Sequence, residues 1–298
     1  MRTFGFATRN VTDNIIRPFV VKCPNGVWHE KVQQVEPLLK TKWLSFGMKE
    51  REEWYRDKND IVVCGILRGT ERLIQDAEFH KINYYYFDHA YFYRASAHKY
   101  HPVLKERFYR IVVNGQHLTT TTKLEQSDYD RIAKLQHQLP LDIRRRQEQG
   151  KYILICPPTP WVCNFYGLGN PASWLKEKTE MLMKNTDKEL VIRTKNSKKT
   201  LEEDLDNAWA VVTCQSTVAI EAIMRGIPSF CDDMSCAVPL SELDLTQIER
   251  PKRPSDMEIE NWRNSLLANQ FGMKEIADGK TYSIVNRLQK GRFYASEG

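Results

Sequence analysis

The side chains best suited to gripping an anion stand in residues 211–228, VVTCQSTVAIEAIMRGIP. An apolar β-branched run ends near Gln215 and a periodic apolar run starts at Val218, so a buried strand delivers Ser216 and Thr217 to the start of a helix. Amides lacking an intrahelical partner and the positive end of the helix dipole favour negative charge there, and two hydroxyls add donors for a phosphate. Glu221 lies about one turn further on, where a carboxylate can accept hydrogen bonds from a ribose diol. Gly226 ends the helix and Pro228 opens the next strand. The same residues also fit a plain structural role, with Ser216 as N-cap, Glu221 as a solvated helix residue and Gly226 as C-cap.

STVAIEAIMRGIP resembles the donor-binding S/T-x-x-x-E-A-x-x-x-G-x-P segment of GT-B-like nucleotide-sugar glycosyltransferases and the related epimerases, over roughly residues 150–230. The resemblance implies that Ser216 and Thr217 hold a diphosphate and that Glu221 holds the ribose. LVIRTK resembles a strand-end basic motif of capsule-type and phage DNA-modifying transferases in this group, which implies that Arg193 and Lys195 face the donor phosphates. A guanidinium and an ammonium there neutralise the leaving diphosphate as the glycosidic bond breaks. Read alone, Arg193 is an ordinary surface cation. The chain departs from the pattern in being short, in lacking a G-G-x-x motif near its N-terminus and in lacking a DxD-type metal signature. Asp232-Asp233 comes nearest to that signature, but it directly follows a strand and has no third ligand. No cofactor beyond the donor, a UDP-sugar by expectation, and no essential metal are expected.

The loop CPPTPWVCNFYG follows another strand of the same half, so Thr159 and Tyr166 should open into the same crevice, Thr159 toward a phosphate and Tyr166 toward the sugar. The alternative is a proline-stiffened turn with an aromatic lid. In the N-terminal half, KINYYYFDHAYFYR sets Asp88 and His89 just past a strand. Inverting sugar transfer needs a base for the acceptor hydroxyl, and Asp88 is the first candidate with His89 the second. An Asp after a strand also serves as a turn former or cap. Arg68 and Gly69 follow the neighbouring strand and would border the cleft, as would His117, although a lone histidine is commonly structural.

Elements must carry these residues to a common edge. FVVKC, DIVVCGIL and KINYYYFD read as buried strands. ERLIQDAEFHK between the last two reads as a helix behind Thr70, with Leu73, Ile74, Ala77 and Phe79 inward, and RFYRIVV adds a strand. From Lys151 strands alternate with helices, which implies a parallel sheet with right-handed crossovers. Residues 256–279 read as an amphipathic helical region around Trp262. The expected class is α/β, two Rossmann-like lobes with parallel sheets and a ligand cleft between them. The expected boundaries are an acceptor-side lobe 1–122, a helical linker 123–150, a nucleotide-sugar lobe 151–250 and a C-terminal segment 251–298 that packs back across both.

Composition narrows the setting. The chain has 298 residues, 41% of them hydrophobic, enough for a full core. No stretch approaches the roughly 18 apolar residues of a membrane span, and MRTFGFATRN lacks a signal-peptide apolar region, so a cytoplasmic protein is expected, in host cytoplasm if phage-encoded. Seven scattered cysteines without a CxxC pair suggest reduced core thiols. The net charge of +6 favours an anionic partner, with basic residues at Arg94, Lys99, Lys105, Arg107, Arg110 and Arg144–Arg146. For the acceptor, a hydroxymethylated base in double-stranded phage DNA is favoured, flipped into the cleft and stacked on Tyr84–Tyr86 and Tyr91–Tyr93. Rival readings are a capsular or cell-surface glycan acceptor, a nucleotide-sugar epimerase and a non-catalytic binding module.

Overall fold

The computed structural model describes residues 3–6, 16–23, 25–29, 59–67, 70–93, 101, 103–143 and 150–294. The chain forms two compact units, residues 1–116 with 268–298 and residues 117–267. The segment expected as a linker instead contributes a helix to the second unit. The segment expected to span both lobes is divided, since residues from Ala268 onward belong to the first unit.

The first unit holds strands β1 (Thr3–Phe6), β2 (Gly26–His29), β3 (Asp60–Cys64), β4 (Tyr84–His89), β5 (Phe108–Val113) and, from the C-terminal segment, β10 (Gln270–Gly272). They lie in the order β10-β5-β4-β3-β1-β2. β3 is buried along its whole length and runs parallel to β1 and β4, as a continuous apolar run should. β5 is antiparallel to both β4 and β10, so this sheet is mixed where a parallel one was expected. QFG within the region read as helical supplies β10, because its residues are buried at the sheet edge while the helices on either side face outward in part.

FVVKC is not a strand. Residues 16–20 are helical, with Ile16, Phe19, Val20 and Cys23 buried and Val21 exposed. The spacing i, i+3, i+4, i+7 is the helical one, and the β-branched content concealed it. Helix α1 (Thr70–Phe79) buries Leu73, Ile74 and Ala77 as expected, but Phe79 is 81% exposed. The aromatic run offers no stacking surface, because Tyr84, Tyr85, Tyr86, Tyr91, Phe92 and Tyr93 are all buried. Gln289 ties the C-terminal segment to this core: its amide donates to Ile111 O and Asn269 Oδ1 and accepts from Val113 N, each at 2.8 Å.

At the start of β3, Asp60 is 6% exposed and accepts a 3.3 Å bond from Asn83. Burial pushes its carboxyl up to about 6, with the Asn83 bond opposing in part. The folded state therefore holds a proton that the unfolded chain has released between about pH 4 and 6, so this group makes the fold less stable as pH rises through that window. Asp60→Asn is expected to raise stability by about 3 kcal/mol at pH 7.5 and by only about 1 kcal/mol at pH 4.5, measured by urea unfolding at both pH values. Equal effects at the two pH values would show that Asp60 is ionised without cost.

The second unit contains β6 (Tyr152–Cys156), β7 (Glu189–Ile192), β8 (Ala208–Thr213) and β9 (Ser229–Cys231), all parallel, in the order β7-β6-β8-β9. Its helices are α2 (Gln126–Gln138), α3 (Pro160–Tyr166), α4 (Pro171–Met183), α5 (Leu201–Asp206), α6 (Val218–Met224) and α7 (Asp256–Ala268); α8 (Met273–Asp278) and α9 (Thr281–Leu288) follow in the first unit. Strand residues alternate between two layers. Ile153, Ile155, Ala210 and Val212 pack against Trp174 and Leu182 of α4, whereas Leu154 and Val211 pack against Leu205 of α5 and Ala222 of α6. Each such aliphatic burial contributes about 1.5–3 kcal/mol. Asn170 caps α4 by accepting from Ala172 N and Ser173 N, with Pro171 in the first helical position. Trp262 is buried in this unit, its indole donating to Cys236 O at 2.8 Å. All seven cysteines are buried thiols. Among the described residues no helix is long and apolar enough to cross a membrane.

Candidate functional site

Because the second sheet is wholly parallel, the carboxyl ends of its strands and the loops that leave them share one edge. Cys156 leads to Thr159, Ile192 to Lys195, Thr213 to Ser216 and Thr217, and Cys231 to Asp232 and Asp233. Hydrogen bonds tie the loops together there. Arg193 N donates to Ile155 O at 2.8 Å, Thr213 Oγ1 to Cys156 O at 2.9 Å and Asp232 N to Cys214 O at 3.1 Å. The loops that carry Thr159, Lys195, Ser216 and Thr217 thus all leave at this edge. Thr159 precedes α3 without its hydroxyl capping that helix, and Lys195 is exposed. Tyr166 packs edge-on against Phe165 at 4.9 Å, and Gly167 follows it in the left-handed conformation (φ 67°) that ends α3.

The turn before α6 differs from expectation in how it can meet an anion. The helix is only 7 residues long, and the amides of Ala219, Ile220 and Glu221 already donate to Ser216 O and Thr217 O. Val218 N donates to Ser216 Oγ at 3.3 Å. Helix amides and dipole therefore carry little of the anion site. Ser216 Oγ accepts one bond and keeps its proton for another acceptor. Glu221 is exposed on α6.

Arg193 is half-buried and partly committed. Its guanidinium pairs with Asp204 and donates to Lys199 O at 2.9 Å and Thr200 O at 3.2 Å. All three contacts run from Nη1, so part of the guanidinium is used in closing the loop between β7 and α5, where Thr200 forms a capping box with Glu203. Lys195 of the same motif is exposed.

A cavity of about 560 Å³ opens on the α4 side of the same edge. Trp174, Lys178, Asp232, Asp233, Met234 and Leu243 are among its walls. Trp174 Nε1 donates to Asp232 Oδ2 at 2.8 Å, and Lys178 Nζ lies 3.2 Å from Asp232 Oδ1. Burial works against the Lys178 ammonium, yet Asp232 outweighs it and holds the pKa above the ordinary lysine value. The sequence contained a signal for this wall. Trp174 and Lys178 are four residues apart in SWLKEK and so share a helix face, but read singly each is an ordinary surface or core residue. Among the described residues no group of three His, Cys, Asp or Glu side chains is placed to hold a metal ion.

The first unit carries Asp88 and His89 at the carboxyl end of β4. Asp88 does not suit the role of base. Its side chain is 30% exposed, Oδ2 accepts from Arg110 at 2.8 Å and Tyr86 at 3.0 Å, and Oδ1 accepts from His89 N at 2.7 Å. Burial pushes its pKa up, but the Arg110 guanidinium and these bonds more than offset it and hold the carboxyl below the usual range. A weakly basic, fully engaged carboxylate is a poor proton acceptor. His89 is different: its side chain is exposed, while its backbone is clamped by Asp88 and by Arg110 Nη1, which donates to His89 O at 2.6 Å. Arg110 is itself buried, with Nε donating to Gln116 O at 3.0 Å, so it belongs to no basic surface. His117 is 5% exposed and cannot line an open cleft. Arg68 and Gly69, and likewise Arg94, Lys99 and Arg144–Arg146, lie outside the described residues.

No family model matches the chain, and no curated protein is similar to it in sequence. Among solved structures it is similar to "Thermosulfurimonas dismutans KpsC, beta Kdo 2,7 transferase", with a TM-score of 0.51 at 12% identity, over 96% of this chain and 99% of that one. The two units, their sheets and this likeness show that the chain has the fold of a GT-B-type glycosyltransferase.

Proposed function

We propose that the chain is a glycosyltransferase that moves a sugar from a nucleotide-diphosphate donor, of UDP type, to an acceptor hydroxyl. The observation that supports this reading is the edge at which the loops carrying Ser216, Thr217, Thr159 and Lys195 leave four parallel strands, in a chain with a glycosyltransferase fold. Hydroxyl donors and one exposed ammonium there stabilise the negative charge that develops on the leaving diphosphate. Glu221 accepts from the ribose. His89, at the end of β4 and clamped through its backbone by Asp88 and Arg110, takes the proton of the acceptor hydroxyl. The fold likeness to a transferase named for Kdo favours a cell-surface glycan as acceptor over hydroxymethylated DNA. The buried aromatic run removes the stacking surface that the DNA reading invoked.

The test is incubation of the full chain with a panel of nucleotide sugars, with and without Mg²⁺, against glycan acceptors and hydroxymethylated DNA. Nucleotide release and product mass are the readouts. Acceptor-dependent release of nucleotide diphosphate supports transfer, whereas interconversion of the donor sugar without acceptor supports the epimerase reading instead. The variant S216A/T217V is expected to weaken donor binding about 30-fold by calorimetry, the loss of hydroxyl bonds to a charged group. Unchanged affinity in that variant would remove the turn from the donor site.

A further inference from the structure

The cavity beside the donor edge has a charge pattern of its own. Glu177, Asp232 and Asp233 set three carboxylates against the single ammonium of Lys178 on its wall. That ammonium is committed, lying 3.2 Å from Asp232 Oδ1 and 3.2 Å from Glu177 Oε1. Asp232 is committed too, through the Trp174 indole at 2.8 Å. Asp233 is exposed and has no partner among the described residues, and Glu177 keeps a second oxygen. The wall therefore presents acceptors and net negative charge, between apolar surfaces that include Leu168, Met234 and Leu243. A volume of about 560 Å³ lies within the range of ligand sites.

We propose, resting on the transferase reading above, that this cavity seats an uncharged polyhydroxyl ring, with Glu177 and Asp233 accepting bonds from its hydroxyls. Repulsion from the same carboxylates turns away a carboxylated sugar. The placement assigns the ring to the transferred sugar. The turn from Cys214 to Thr217 adjoins the cavity through Asp232 N, which donates to Cys214 O at 3.1 Å, and through Cys214 Sγ, 3.7 Å from Met234 Sδ. Glu221 rides on α6 over one face of the sheet, and the cavity opens under α4 over the other. A diphosphate at the turn thus has its ribose on the α6 side and its sugar on the α4 side.

The experiment titrates the full chain with UDP, UDP-glucose and UDP-glucuronate by calorimetry, in the parent, in E177Q and in D233N. Methyl glucoside and free glucuronate are titrated separately at millimolar concentration, following the Trp174 indole N–H resonance, assigned by W174F. UDP-glucose is expected to bind about 10-fold more tightly than UDP, and UDP-glucuronate no more tightly than UDP. Each carboxamide variant should erase the gain for UDP-glucose and strengthen UDP-glucuronate. Loss confined to UDP-glucose identifies the transferred sugar; equal loss for UDP and UDP-glucose identifies the ribose as the ring. If UDP binds through Ser216 and Thr217 but neither variant alters any affinity, the cavity assignment is wrong and the transferase reading stands. If the nucleotides fail to bind while methyl glucoside shifts the Trp174 signal and glucuronate does not, the cavity is a neutral-sugar site and the donor reading falls. Silence from every ligand overturns both.

Discussion

Replacing Arg110 with methionine is expected to destabilise the first unit by about 3–5 kcal/mol, because it leaves a largely enclosed carboxylate without its counter-charge. Arg110 is buried and donates to Asp88 Oδ2, His89 O and Gln116 O at 2.8, 2.6 and 3.0 Å. Its guanidinium carbon also stands 5.9 Å from the Tyr86 ring centroid and 5.4 Å from that of Tyr91. One substitution therefore removes an ion pair, two carbonyl partners and two ring contacts. Urea unfolding followed by tyrosine environment measures the loss, and D88N/R110M should recover part of it by removing the orphaned charge. A cost under about 1 kcal/mol for R110M alone would mean that the pair is effectively solvated.

The same pair sets an acid limit. Asp88 has a folded pKa below that of the unfolded chain, so its contribution is complete above the unfolded value near 4 and is lost as pH falls through the folded value. Stability of the parent should fall faster than that of D88N below about pH 4.

Replacing His89 with alanine is expected to lower kcat by about 10²- to 10⁴-fold while leaving donor affinity intact, the size of effect that loss of a positioned general base produces. The imidazole is exposed, so folding stability should change by less than about 0.5 kcal/mol. Added imidazole should restore part of the rate. The D88N variant separates positioning from proton transfer. It removes the charge that holds Arg110 while leaving an Oδ1 that can still accept from His89 N, so it should lose less rate than H89A and, unlike H89A, also lose stability. Full activity in H89A would transfer the base to another residue and return Asp88 and His89 to a purely structural role.

These two predictions depend on contacts that no local pattern announces. Arg110 looks like one of several basic residues near the middle of the chain. Only antiparallel pairing of β5 with β4, which sets Arg110 opposite Asp88 in the ladder, turns it inward. Asp88 and His89 were legible as strand-end residues, but the commitment of Asp88 to Arg110 depended on that pairing. Arg193 is the parallel case, since its partner Asp204 lies 11 residues on, across a loop whose closure the strand pattern did not reveal.

Much of the second unit was readable from one dimension. The alternation of short apolar runs with helical stretches determined four parallel strands, and parallel strands oblige their outgoing loops, including those that carry Thr159, Lys195, Ser216 and Thr217, to leave at one edge. The first unit was harder to read. Ile16, Phe19, Val20 and Cys23 carry β-branched and aromatic side chains on a helical spacing, so propensity and period disagreed, and packing decided for the helix. QFG is too short to declare itself a strand until β5 offers it an edge, and that pairing returns the C-terminal segment to the first unit. The sequence alone determined which loops leave the second sheet together, because strand direction follows from local alternation. Tertiary structure decided which charged side chains on those loops are spent on one another and where a hollow remains, because ion pairs and cavities are set by distances between residues far apart in the chain.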